Sequence, residues 1–585
     1  MTAILGINAY HADASACLVM DGDLVIAVEE ERFTRDKHWA GFPSMAISYC
    51  LKQSGIDVEQ IEYIAVNRNP KVNLFQKGCY TITRRPKLST IKDRLANRGR
   101  IKNIKARLAE TTGVKSDKIK AIVHNIEHHR AHLASAFFVS PFDDATVISV
   151  DGFGDFVSTM WGGGNENSIK IHDKVSFPHS LGIFYLAVTQ YLGFNCYGDE
   201  YKVMGLAPYG NPTRMDAMRG IVNLKPGGRF ELDLKYFNHH SKGVAMIWDG
   251  GAPHIGKVYS QELESLLGPA RDGGNQIDQR HCDIAASLQL MYEEAFFHVI
   301  NAAFDQTGNT NLCLAGGCAM NSVANGKIFD RSPYRELYIQ AAAGDGGGAI
   351  GAAFYLWHQV LKNDRSFVMD HAYLGPEFSE EYVASLIEQK KSDIAEKGCI
   401  ITEFGDEDSL CNHIARQIAN GKVVGWFQGR MEWGPRALGN RSILCDPRRS
   451  DMKDILNRKI KRRESFRPFA PSIIRESVAD WFETDYDVPF MLQVFQIRPE
   501  KRDLIPAVTH VNGSGRLQTV TQSQNPRYYR LIKAFETVTG IPMVLNTSFN
   551  ENEPVVCLPE EALDCFLRTN MDIVAIGNWV IENKE

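Results

Sequence analysis

Thr146-Val147-Ile148-Ser149-Val150-Asp151-Gly152-Phe153-Gly154-Asp155 is the stretch on which the fold turns. Its first residues are rich in β-branched side chains and read as a strand, its Asp-Gly loop as a turn, and Ser158 to Trp161 as the returning strand. The chain opens the same way. Ile4 to Asn8 and Ser15 to Met20 are short apolar runs, Asp21-Gly22 accepts the positive φ angles of a tight hairpin turn, and Leu24 to Val28 completes the unit. Two strand-to-helix junctions follow: Leu312-Cys313-Leu314-Ala315-Gly316-Gly317, and Leu337 to Gln340 running into Gly344-Asp345-Gly346-Gly347-Gly348. Glycines at such junctions let backbone N–H groups approach a phosphate at a helix N-terminus.

Bulk properties narrow the class. A chain of 585 residues exceeds what one core supports, so two domains are expected, with a boundary between Trp357 and about residue 400 where the glycine-rich style gives way. The formal charge of -5 argues against nucleic acid as a partner except through a local patch. The N-terminus carries no signal-peptide pattern, no uncharged apolar run reaches membrane-spanning length, and the 12 cysteines are scattered without a Cys-x-x-Cys pair. These features predict a cytoplasmic protein with reduced thiols and no membrane contact. A basic stretch from Arg84 to Arg107 reads as a solvated helical insert or as a site for an acidic partner.

In Glu127-His128-His129-Arg130-Ala131-His132 a helix would place His128 and His132 on one face, a good bite for a divalent metal, although such pairs also serve structural roles. Asp151 and Asp345 each follow an apolar strand and open a Gly-rich loop, which makes them candidates to complete the site, or turn and cap residues. Farther on, Gly429-Arg430-Met431-Glu432-Trp433-Gly434-Pro435-Arg436-Ala437-Leu438-Gly439-Asn440-Arg441 sets arginines among glycines, and Lys461-Arg462-Arg463-Glu464-Ser465-Phe466-Arg467 adds more cations. Arginine pairs two phosphate or carboxylate oxygens at once, so these runs predict an anion site. Arg516 and the loop Asn546-Thr547-Ser548-Phe549-Asn550 extend it. The expected ligand is polyanionic, such as a nucleoside triphosphate with an acyl phosphate.

Taken in order, the hairpins and Asp-Gly and Gly-Gly loops resemble the actin and sugar-kinase superfold, in which two related lobes clamp a nucleotide. The longer motifs are more specific. Gly6-Ile7-Asn8-Ala9-Tyr10-His11, Glu29-Glu30-Glu31-Arg32-Phe33, Glu200-Tyr201-Lys202-Val203-Met204-Gly205-Leu206-Ala207-Pro208, Gly316-Gly317-Cys318-Ala319-Met320-Asn321 and Asn546-Thr547-Ser548-Phe549-Asn550 resemble the NodU/CmcH-type O-carbamoyltransferases nearly end to end. The resemblance implies an α/β protein. Residues 1–360 would form an actin/sugar-kinase-like two-lobed domain similar to the threonylcarbamoyl-transfer subunit, 361–395 a linker, and 396–585 a YrdC-like α/β domain.

In that family carbamoyl phosphate and ATP yield carbamoyl adenylate, which a hydroxyl of a small natural product, such as an antibiotic or toxin, then attacks. Carried onto this chain, Arg436, Lys461, Arg467, Arg516 and Ser548 correspond to donor-site catalytic contacts. Lys202, Gly316, Gly317, Asn321, Arg441, Arg463, Asn546 and Asn550 correspond to nucleotide or carbamoyl-phosphate binding. His128, His132, Asp151 and Asp345 would ligate a divalent metal, with Fe2+ expected there and Mg2+ with ATP, while His11, Lys37 and Lys202 would be polar neighbours of the transfer site. His11 is the candidate to accept the alcohol proton. Cys318 replaces an expected small apolar residue, and no Gly precedes Glu553-Pro554, so local loop geometry there is in question. The rival readings are a tRNA threonylcarbamoylation-type enzyme and a sugar-kinase-like nucleotide-binding protein. A homodimer is the expected assembly, and the acceptor pocket is expected around Arg68 to Lys105 and Asn211 to Gly274.

Overall fold

Every residue of β1 (Ala3–Asn8) is buried, as in a strand covered on both faces. It pairs antiparallel with β2 (Ser15–Met20), which turns through Asp21 and Gly22, both at positive φ, into β3 (Asp23–Glu29). On its other side β1 runs parallel to β4 (Tyr63–Val66), and β4 to β5 (Ile122–Asn125), so the order is β3-β2-β1-β4-β5. A second sheet repeats this plan. There β6 (Asp144–Gly154) pairs antiparallel with β7 (Val157–Asn165) and β7 with β8 (Ser168–Ser176). Parallel to β6 runs β9 (Asn311–Ala315), and parallel to β9 runs β10 (Glu336–Ile339), giving β8-β7-β6-β9-β10. This duplicated sheet is the two-lobed arrangement expected for an actin/sugar-kinase-like domain.

The computed structural model describes residues 1–84, 103–242, 244, 246–247 and 250–584, and divides at Met369/Asp370 into two units. Most of the basic Arg84 to Arg107 stretch lies outside the described residues. Of the segment expected as a linker, residues 361–369 belong to the first unit, and Glu380–Glu396 forms a helix of the second, packed on the strand Cys399–Glu403. Its apolar Val383, Leu386, Ile387 and Ile394 are buried, a helical spacing that gives the segment a core face of its own.

Three helices position the first unit's chemistry. The first, α1 (His128–Phe137), follows β5; its N-cap Glu127 accepts the Arg130 N–H at 2.9 Å. Next comes the long α2 (Gln279–Thr307), capped by Asp278. Last, α3 (Gly348–Phe354) follows β10 and the Asp345 loop. Helix α1 packs on β6 and β9, α3 packs on β1, β2 and β4, and the two helices pack on each other.

The second unit is built on one mixed sheet of 9 strands. In chain order these are β11 (Cys399–Glu403), β12 (Val424–Phe427), β13 (Arg441–Cys445), β14 (Ala470–Ile474), β15 (Gln493–Gln496), β16 (Ser514–Val520), β17 (Met543–Ser548), β18 (Ile573–Ile576) and β19 (Trp579–Asn583). Across the sheet they run β11-β19-β18-β12-β13-β17-β14-β16-β15. The centre of the sheet therefore brings β13, β17, β14 and β16 side by side, with the ends that carry the cationic motifs.

Candidate functional site

Helix α1 does what the i, i+4 spacing predicts. His128 Nε2 and His132 Nε2 lie 3.0 Å apart, both rings fully buried. Asp151 reaches them from β6, where the β6/β7 register shifts between Val150 and Gly154 and the backbone of residues 151–153 leaves the paired ladder. Its Oδ2 stands 3.2 Å from His128 Nε2 and 3.7 Å from His132 Nε2, while Oδ1 accepts the Gly317 N–H at 2.8 Å. Asp345 Oδ1 is 3.5 Å from each imidazole. Thus one ligand atom from each of four residues lies within 4.8 Å of the other three.

Donors about 2.0–2.2 Å from a shared ion stand roughly 3.0–3.6 Å apart, so this set fits a divalent metal. A second observation agrees. Asp345 Oδ1 is buried and has no hydrogen-bond partner among the described residues. Burial and the charge of Asp151 push the Asp345 carboxyl up. Burial acts against ionised Asp151 too, but hydrogen bonds from His128 and His132 outweigh it and hold that carboxyl well below the usual range. Burial would neutralise His132, yet Asp151 and Asp345 lift it to about 9. Such a set of opposed charges is one that a dication can relieve.

The neighbours are equally defined. Gly154 gives His128 its space, since a Cβ there would sit 1.9 Å from the ring's Cδ2. His129, between the two paired imidazoles in sequence, is structural: its nitrogens lie 2.9 Å from Ser149 Oγ and 3.0 Å from the Val157 carbonyl. His11 stacks on His128 with ring centroids 4.8 Å apart and places Nδ1 3.8 Å from Asp345. Burial, with Arg68 beside it, holds His11 well below the usual imidazole range, hence neutral near pH 7. Lys37 is exposed, and Lys202 pairs with Asp199 at 2.8 Å. Gly316 and Gly317 form the turn that holds Asp151, and Asn321 exchanges hydrogen bonds of 3.0 and 3.1 Å with Gln289 in a buried network.

Sequence reading named Arg68 only as one edge of the expected acceptor region and gave it no role of its own. It sits just past the end of β4, donates to the Tyr10 carbonyl at 3.2 Å, and is depressed by burial while the charges of Asp155 and Asp345 oppose the shift. Its position was the available signal, because ligands of parallel sheets bind beyond the carboxyl ends of strands. A second trio, Asp13, Glu31 and His38, could be mistaken for a metal site. There His38 Nδ1 bonds Asp13 at 2.8 Å and Glu31 accepts the His38 N–H at 2.7 Å, so the groups satisfy one another.

In the second unit four guanidinium groups converge. Burial, then the charges of Arg436, Arg463 and Arg467, hold Arg516 well below the usual arginine range. Its Nε is buried with no hydrogen-bond partner among the described residues. Mutually repelling cations around an unsatisfied donor have the chemistry that an anion would satisfy. His510 adjoins them, lowered to about 3 by burial, Arg516 and Lys453. Lys461, 1% exposed, donates to Ser548 Oγ at 3.3 Å, to Asn550 Oδ1 at 2.6 Å and to both residues' carbonyls, which brings the Lys461, Ser548 and Asn550 motifs together. Arg463 Nε bonds Asn457 at 2.7 Å and its guanidinium lies over Phe469. Like Lys461, Arg441 and Asn546 bond protein groups. The terminal nitrogens of Arg441 donate to the carbonyls of Gln428, Asn440, Pro376 and Gly429, and Asn546 donates to Ala437, Ser472 and Gln518.

Family models now bear on these two sites. Residues 3–354 match the model described as carbamoyltransferase N-terminus, and residues 415–583 match carbamoyltransferase C-terminus. The chain belongs to the carbamoyltransferase family. Among relatives, the uncharacterized protein sll1178 of Synechocystis sp. is 42% identical over 99% of this chain and 97% of its own. Nodulation protein NolNO of Sinorhizobium fredii is 35% identical over 99% of this chain and 80% of its own. Of solved structures, HypF of T. kodakarensis matches at 12% identity and TM-score 0.31, covering 62% of this chain and 48% of that one. Among the described residues no helix is long and apolar enough to cross a membrane.

Proposed function

We propose that this carbamoyltransferase is an ATP-dependent O-carbamoyltransferase acting on a small hydroxylated natural product. The observation that carries the reading is the convergence of Arg436, Arg463 and Arg467 on Arg516, whose buried Nε lacks a partner among the described residues. Such a pocket suits carbamoyl phosphate and the triphosphate of ATP, supplied with Mg2+. Water cleaves carbamoyl phosphate to carbamate and phosphate, and the cations stabilise charge on the departing phosphate. The carbamate oxygen attacks the α-phosphorus of ATP and pyrophosphate leaves, giving carbamoyl adenylate. Exclusion of water keeps the short-lived carbamate from being lost.

In the first unit the acceptor oxygen attacks the carbamoyl carbon, the bond to AMP breaks, and the hydroxyl proton passes to neutral His11. Arg68, a buried cation in the field of Asp345, is assigned the role of offsetting negative charge on the leaving phosphate. His128, His132, Asp151 and Asp345 would hold a first-row divalent ion, Fe2+ in our reading, which when bound supplies Lewis-acid polarisation of the carbonyl.

The test is pyrophosphate release from ATP. Release that depends on carbamoyl phosphate, followed by a carbamoyl mass gain on an added alcohol, supports the proposal. ATP turnover that yields ADP and ignores carbamoyl phosphate would refute it in favour of a kinase.

A further inference from the structure

Glu432 is 3% exposed, yet its Oε1 accepts three backbone N–H groups: Leu438 at 2.8 Å, Asn440 at 2.7 Å and Arg441 at 3.2 Å. A run of main-chain donors closing on one oxygen is the arrangement in which backbones cradle anions. Here the anion is the protein's own carboxylate, and it joins the two ends of the loop that carries Arg436. The loop's carbonyls are held from the other side. Ala437 O accepts from Asn546 Nδ2 at 3.0 Å, and Leu438 O from Gln518 Nε2 at 2.8 Å and from the Tyr373 hydroxyl at 2.9 Å. Asn546 and Gln518 also bond each other at 3.0 Å, and Ser472 bonds both.

The placement of these amides on their strands matters. Gln518 stands two residues after Arg516 on β16, and Asn546 two residues before Ser548 on β17. Residues two apart on a strand share a face. One buried polar frame therefore ties the Arg436 loop to the strand of Arg516 and to the strand of Ser548. Arg436 and Arg516 repel each other, and the frame holds the loop against that repulsion.

We propose that Glu432, Gln518 and Asn546 are positioning residues of the donor pocket, fixing Arg436 at the height of Arg516 and Ser548 without touching the ligand themselves. The inference rests on the carbamoyl-phosphate reading of that pocket. Its consequence is that the three residues act only through Arg436. A misplacement of about 1 Å costs on the order of 10²-fold in a positioned reaction.

The experiment is a double-mutant cycle on the full chain, read by calorimetric binding of carbamoyl phosphate and by the KM for carbamoyl phosphate in pyrophosphate release. Glu432→Gln keeps the shape and weakens the acceptor; Asn546→Asp keeps the shape and removes the donor to Ala437, and serves if the first variant folds poorly. Each alone is expected to raise the carbamoyl-phosphate KM at least about tenfold. In an Arg436→Ala background neither adds a further loss. Additive losses in the cycle, or wild-type KM values in both single variants, overturn the proposal. A wild type that binds no carbamoyl phosphate overturns the pocket's assignment and this inference with it, whereas binding that survives in the variants overturns the inference alone.

Discussion

Replacing Gly154 with alanine should separate the two half-reactions proposed above. The added Cβ would lie 1.9 Å from His128 Cδ2, and real Cβ contacts essentially never fall under 3.0 Å, so ring or strand must yield by more than 1 Å. His128 cannot retreat freely, because its ring is fully buried, stacked on His11 and 3.2 Å from Asp151. Overpacking of this kind costs about 1–3 kcal/mol, which a domain of this size survives. The chemistry is more sensitive, since a displacement of about 1 Å in a positioned group costs on the order of 10²-fold. Gly154→Ala should therefore bind Fe2+ or Zn2+ much more weakly and slow carbamoyl transfer about a hundredfold, while carbamoyl-phosphate-dependent pyrophosphate release continues. Metal titration by calorimetry and separate assays of the two steps measure this. A variant that takes up metal and transfers like the wild type, or loses both half-reactions equally, would refute the argument.

Other outcomes follow from the same geometry. Arg516→Ala should lower carbamoyl-phosphate affinity roughly ten- to a hundredfold, the worth of a charged hydrogen bond of about 1.5–3 kcal/mol, as measured by calorimetry. His11→Ala should cut transfer about 10²- to 10⁴-fold and leave pyrophosphate release intact, as quenched-flow measurements of the two steps would show. His510 at about 3 in the fold against about 6.5 unfolded binds fewer protons when folded. Its contribution is complete above pH 6.5 and is lost as pH falls toward 3, with a slope of at most about 1.4 kcal/mol per pH unit. His510→Asn should flatten that slope in urea titrations between pH 4 and 7.

The duplicated lobes were legible because strands and turns leave local marks: Asp21-Gly22 adopts the positive φ its sequence invites. His128 and His132 were legible as a pair by helical period alone. That His129 bonds Ser149 and Val157 was not, since three neighbouring imidazoles look alike until β6 and β7 are laid beside the helix. Asp151 was visible as a residue at a strand end, whereas the bulge that turns it toward α1 arises from pairing with β7. Residue type marked Asn321, Arg441 and Asn546 as polar members of long motifs, but orientation belongs to tertiary structure, and there their donors meet Gln289, backbone carbonyls and Gln518. Arg68 carried no motif and needed the sheet to give it an address.

The crossing of α1 and α3 has a consequence for how the first unit comes apart. The helix that ends the first five-strand pattern lies on the second sheet, and the helix that ends the second lies on the first, with Gly351 so near Ala131 that a Cβ would meet its carbonyl oxygen at 1.8 Å. Each half thus wears the other's cover. A nick engineered between Phe137 and Asp144 should leave each half of the first unit with an uncovered sheet, unfolded when apart and able to assemble when the two are mixed, while the second unit keeps its own core.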